Sequence, residues 1–205
     1  MARSARLKEL QTRVTELRKR SLPAKFNPTG AYSERIFDRT RGFRLLAHAE
    51  IEACLEDLGV ATVNAAYNAW SIDGKPRTTL VALMTFNDRN GLGVPPKLQR
   101  SGVGDLRQRL LDVRNDYVRW VKTQNHGIRE KNVLRILLPA GIREHEIDPA
   151  WLSTIDTFGI NRGATAHGAG RPQTPPDPAQ ELETVKTIVD GLIPLDQHLS
   201  KLRLE

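Results

Sequence analysis

Apolar residues recur at steps of three and four along most of this chain. Leu7, Leu10, Val14 and Leu17 form a narrow stripe with Arg and Lys between them, the pattern of a helix with one buried face. Pro23, Pro28 and Gly30 then break the pattern. Ser33 is placed as an N-cap, and Ile36, Phe37, Phe43, Leu45, Leu46, Ala49, Ile51, Leu55 and Leu58 predict a long helix over residues 33–58. Gly59 reads as a break or kink, after which the helical pattern continues until Gly74 and Pro76 stop it. The run TLVALMTF fits helix and strand equally by periodicity, and its helical neighbours favour a short helix. Residues 87–104 read as a Gly/Pro-bearing loop. Asp105 opens a helix with Leu106, Leu110, Val113, Tyr117, Trp120 and Val121 on one face, and residues 130–138 form a shorter one ended by Pro139 and Gly141.

Asp148-Pro149 and Asp177-Pro178 are both N-cap-plus-proline start signals. The first opens a helix carrying Trp151, Leu152, Ile155, Phe158 and Ile160, which stops by Gly168-Ala169-Gly170. A rigid connector, RPQTPPDP, leads to the second, whose stripe runs from Leu182 to Leu202, with a kink expected at Pro194. No alternating β-pattern is sustained. The expected fold is all-α, an up-and-down helical bundle over residues 31–205 with a basic N-terminal helical arm and linker over residues 1–30. The arm reads as a docked helix, a self-association element or a nucleic-acid-binding arm.

Composition narrows the function classes. Lysines and arginines outnumber carboxylates enough for a formal charge of +7 and a pI near 9.8, which favours polyanionic partners such as nucleic acid or an anionic membrane. No apolar run is long enough for a membrane span. The basic N-terminus lacks the apolar core of a signal peptide, and Glu9 and Glu16 argue against a transit peptide. A cytoplasmic protein is expected, with no membrane partner. Cys54, the single cysteine, cannot form an internal disulfide and reads as a buried thiol. The scattered histidines have no zinc-site spacing, so neither metal nor cofactor is expected.

The candidate chemistry lies in INRGATAHGAGRP, where Arg162 and His167 are five residues apart near a helix end. On an ideal helix they project about 140° apart, so a long arginine must reach back or a two-fold partner must supply a second pair. Arginine offers a fixed charge and a planar fork for phosphate oxygens. Histidine titrates near neutrality and can move a proton to or from a ribose 2′-hydroxyl or a leaving oxygen. That pair suffices for metal-free RNA cleavage. The same residues also suit a plain helix terminus, where Arg offsets the dipole, His caps carbonyls and Gly168 stops the turn.

Other positions are weaker. His48 and Glu52 are (i, i+4) neighbours in HAEIE, so one can orient the other, beside a cleft or simply on a polar face. His126 in QNHGIRE shapes a turn or, with Asn125 and Arg129, touches a substrate. His145 and His198 read as solvated, and Trp70, Trp120 and Trp151 as packing residues.

TIDTFGINRGATAHG resembles the Arg-x4–6-His signature region of HEPN domains, and specifically the RiboL-PSP-type branch. NHGIREKNVLRILLPAGI and LLAHAEIEACLEDL resemble its upstream segments in the same order. The resemblance spans roughly residues 33–199 and implies a four- or five-helix bundle that dimerises. It further implies a metal-independent endoribonuclease in a toxin, antiviral-defence or RNA-processing role, paired with a regulatory or antitoxin protein in some members. Carried over, Arg162 binds the scissile phosphate and His167 transfers the proton, in a cleft shared by two subunits. His48, Glu52, Asn161 and Arg129 are auxiliary candidates beside them. Two features depart from the family pattern: Gly163 follows the arginine where a polar residue is usual, and Ala169 stands where some members carry a modifiable Tyr. A non-catalytic RNA-binding or adaptor HEPN protein, and a purely structural helical partner, are the alternative readings.

Overall fold

A computed structural model describes residues 2–87, 105–167 and 175–205, excepting the side chains at 164, 166 and 167. Seven α-helices and one 3₁₀ turn account for its regular structure, and no strand occurs among the described residues. The helices are α1 (Ala5–Ser21), α2 (Glu34–Asp73), α3 (Thr78–Thr85), α4 (Leu106–Thr123), α5 (Glu130–Leu137), α6 (Pro149–His167) and α7 (Pro178–Leu202), with the 3₁₀ turn at Glu144–Glu146. The all-α bundle expected from periodicity is what the chain forms. The loop expected over residues 87–104, beyond Asn87, lies outside the described residues, as do the glycine stop after His167 and the connector up to residue 174.

The spine is α2, whose 40 residues extend about 60 Å. Cross-helix pairs set the directions of its neighbours. Arg6 reaches Asp57 at 2.7 Å and Arg13 reaches Glu50 at 2.9 Å, so α1 runs antiparallel to α2. Lys122 to Asp57 (2.6 Å) and Arg114 to Asn64 (2.7 Å) make α4 antiparallel as well. Arg44 bonds Thr165 of α6 at 2.9 Å and His48 stacks on Phe158, which sets α6 antiparallel. Arg44 also pairs with Glu181, and Arg203 reaches Thr62 at 3.3 Å, so α7 runs parallel to the spine.

One apolar core takes in side chains from all seven helices. The α1 stripe is docked in it: Leu7, Leu10, Val14 and Leu17 are buried against α2 and α7, and each is worth roughly 1.5–3 kcal/mol relative to exposure. Ser4 caps α1 by accepting from the Leu7 amide at 3.1 Å. Its own amide donates to Asp196, a fully buried carboxylate on α7 that the sequence pattern does not reveal.

Helix α2 does not break at Gly59. Crossing partners, not flexibility, explain the glycine: a Cβ there would lie 2.5 Å from the Tyr117 Oη and 2.7 Å from Ile136 Cγ2. Tyr117 uses that space to donate to the Ile136 carbonyl at 2.9 Å. Gly191 on α7 likewise makes room for the Trp151 indole, which donates to the Ile188 carbonyl at 3.0 Å. Helix α7 continues through Pro194 to Leu202. His198 also differs from its solvated reading: the 3₁₀ turn brings Glu146 within 3.5 Å of its Nδ1, and the imidazole is half-buried. Cys54 is fully buried, and loss of solvent pushes its thiol up to about 12. No helix among the described residues is long and apolar enough to cross a membrane.

Candidate functional site

The candidate residues converge where the last turns of α6 face the first half of α2 and the loop before α5. Phe158 is fully buried and turns its ring toward His48, with centroids 6.1 Å apart and planes 28° from parallel. Gly127, at φ +111°, lies against the His48 ring: a Cβ there would stand 3.8 Å from its Cε1 and Nε2. That positive φ is one that side-chain-bearing residues rarely adopt. The Gly127 amide donates to Glu52 Oε1, so the loop is pinned to α2 by a carboxylate.

His48 and Glu52 are stacked one turn apart, with Nδ1 to Oε2 at 3.6 Å, too long for a hydrogen bond. The His48 Nδ1 is buried and has no hydrogen-bond partner among the described residues. Burial, with the Arg162 charge second, lowers the imidazole pKa to about 4, so His48 is neutral at pH 7. Glu52 is raised, first because its carboxyl is withdrawn from water; the Gly127 amide and the Arg162 charge pull the other way.

The Arg162 charge thus acts on the ionisation of both α2 side chains. The Arg162 Nε is also buried with no hydrogen-bond partner among the described residues. Buried polar atoms are normally satisfied, so the unpartnered nitrogens of Arg162 and His48 make this seam chemically unusual, as Arg77 Nε and Asp196 Oδ1 do singly elsewhere in the fold. Of the six candidate residues, the structure gathers His48, Glu52 and Arg162 here.

The others lie around this group. The backbone of His167 is the last described turn of α6, five residues and about 7.5 Å of helix rise beyond Arg162. Asn161 is exposed, and its carbonyl accepts from Arg44 and Thr165. Arg129 is held apart in a 2.6 Å ion pair with Asp156, whose same oxygen accepts the Glu130 amide at 2.9 Å. The Arg129 guanidinium keeps the Asp156 carboxyl below the ordinary carboxylate value. Asn125 is committed to structure, donating to Glu56 and accepting from Asn132, both at 2.9 Å, while His126 is exposed.

Sequence reasoning missed the residue that positions this end of α6. Arg44 pairs with Glu181 through both carboxylate oxygens and donates to Thr165 Oγ1, joining α2, α6 and α7. It is one turn before His48 on the same helix face, a spacing that could have revealed it. Phe158 and Gly127 read only as a core aromatic and a turn glycine. Among the described residues no cluster of histidine, cysteine and carboxylate could hold a metal ion. Compared with protein-family profiles, curated proteins and solved structures, the chain matches none.

Proposed function

We propose that this protein is a metal-independent endoribonuclease of the HEPN type, working as a homodimer in a toxin or phage-defence setting under a regulatory partner. The observation that carries the reading is the seam itself: a half-buried Arg162 with an unpartnered Nε, beside a neutral His48 and Glu52, on the helix that ends at His167. Because His48 is uncharged at neutral pH, Arg162 is the cation that faces a phosphate there. Its guanidinium holds the non-bridging oxygens and stabilises the charge that builds on them.

The reaction uses the substrate's own nucleophile. The 2′-oxygen attacks phosphorus, the bond to the 5′-oxygen breaks, and a 2′,3′-cyclic phosphate remains on one product. His167 takes the 2′-proton or delivers one to the departing oxygen, worth about 10²–10⁴-fold. His48 and Glu52 position Arg162. Ile160 is 46 % exposed on the same helix, an apolar contact for a second copy that brings its own Arg162 and His167 to the cleft.

The test is an RNA in which one scissile 2′-hydroxyl is replaced by 2′-O-methyl. The proposal predicts cleavage everywhere except at that nucleotide, with cyclic phosphate on the upstream product. Equal cleavage at the blocked nucleotide, or a 3′-hydroxyl product, overturns it. Salt-sensitive binding with no cleavage of any RNA favours the non-catalytic RNA-binding alternative.

A further inference from the structure

Positive charge is unevenly placed along the chain. Residues 18–41 carry seven cations and two carboxylates, a net of +5 against +7 for all 205 residues. This stretch is the end of α1, the linker and the start of α2, and the antiparallel packing folds it into one corner. Arg39 donates to the Arg20 carbonyl, closing the corner. Arg18 donates to the Ala24 carbonyl at 3.2 Å and covers the Phe26 ring at 5.7 Å. Of the two carboxylates, Asp38 is neutralised by Arg41 at 2.7 Å. Lys19, Arg20, Lys25 and Arg35 are exposed and form no ion pair among the described residues.

The register of α2 against α6 places this corner beside the candidate site. Arg44 meets Thr165 and His48 meets Phe158, so moving from Arg44 toward the start of α2 approaches the last residues of α6. The backbone of His167 is then level with the turn of α2 that holds Arg39 and Arg41. The linker reaches the same end: Gly30 lies beside Asp177, the cap of α7.

We infer that the α1–α2 corner, through Lys19, Arg20, Lys25 and Arg35, binds the phosphate backbone of RNA and leads it to the end of α6. Binding follows from the charge itself, whereas the destination rests on the nuclease reading above. A phosphate chain suits these groups because they are long, exposed, unpaired and spread over two helices and a linker. A bilayer suits them less: Leu22 is buried, Phe26 packs on the core, and Ile36 and Phe37 are half-buried. Among the described residues, no exposed large apolar side chain falls between residues 18 and 41, which removes the anchor that an interfacial helix needs.

The test is the salt dependence of binding to a fluorescein-labelled 20-nucleotide single-stranded RNA, measured on a His167→Ala background so that cleavage does not intervene. For single strands each neutralised phosphate contributes about 0.7 to the log–log slope. Changing Lys19, Arg20, Lys25 and Arg35 together to Gln lowers the slope by about 3. The parent then loses about 50-fold more affinity than the variant between 50 and 200 mM salt. Lys75→Gln with Lys201→Gln, at the other end of the bundle, leaves the slope unchanged. With His167 restored, the fourfold variant shows a higher KM and a kcat within about twofold of the parent. A slope unchanged in the fourfold variant, an equal change in the control pair, or retained binding only to phosphatidylserine vesicles overturns the inference. Absence of cleavage with the predicted slope change overturns the nuclease reading and leaves the surface standing.

Discussion

The neutral, buried His48 makes a prediction that reports directly on the geometry around Arg162. In the unfolded chain its imidazole titrates at the ordinary 6.5; in the fold burial and the Arg162 charge bring it to about 4. Between those values the unfolded chain binds the proton and the folded chain does not. The contribution to stability is therefore fully present above 6.5 and is lost as pH falls toward 4. The gap is worth about 3 kcal/mol in full, of which about 2 kcal/mol disappears between pH 7 and pH 5. Glu52 acts in the opposite sense, since a raised carboxyl favours the folded state on acidification, so the His48 share must be isolated by substitution. Urea unfolding at 25 °C of the parent and of His48→Gln, at pH 7 and pH 5, does this. With an m-value of about 2 kcal/mol/M, the parent midpoint falls close to 1 M further than the variant's, whatever their difference at pH 7. Equal falls for both proteins would refute the buried, Arg162-facing placement of the imidazole.

Two helix-interior glycines on α2 give opposite outcomes. Gly42→Ala meets open space and stabilises by about 0.5–1 kcal/mol, whereas Gly59→Ala collides with Tyr117 and Ile136 and destabilises by about 2–4 kcal/mol after the same propensity gain; denaturant midpoints of both variants check the sign. Arg44→Met leaves the Glu181 carboxylate buried without its partner, which costs about 3 kcal/mol. Amide exchange should speed up in the last turns of α6 more than in α4, and uniform exchange across the bundle would contradict the role given to Arg44.

The helices were legible because each buries one apolar face, so the 3.6-residue period survives in the sequence. The starts at Asp105, Pro149 and Pro178 were legible because caps are local chemistry, and Asp105 and Asp177 accept the amides of their first turns. The break expected at Gly59 does not occur, because the glycine answers to Tyr117 and Ile136, far along the chain. Asp196 and Arg44 were invisible for the same reason: their partners, Ser4 and Glu181, are brought to them only by packing. In the candidate site, the (i, i+4) pairing of His48 with Glu52 could be read along one helix, but its meeting with Arg162 depends on the antiparallel register of α2 and α6. Arg129 stands near the motif in space yet is bound to Asp156, a distinction that spacing does not carry.

The most direct test of the proposed nuclease site is cleavage of an end-labelled RNA in excess EDTA by the parent, Arg162→Ala and His167→Ala proteins, each shown to be folded by circular dichroism. The parent should cut at an undiminished rate with the chelator present, and each variant should lose at least about 10²-fold. Parent activity abolished by EDTA, or either variant cutting as fast as the parent, would contradict a metal-free site built on the end of α6.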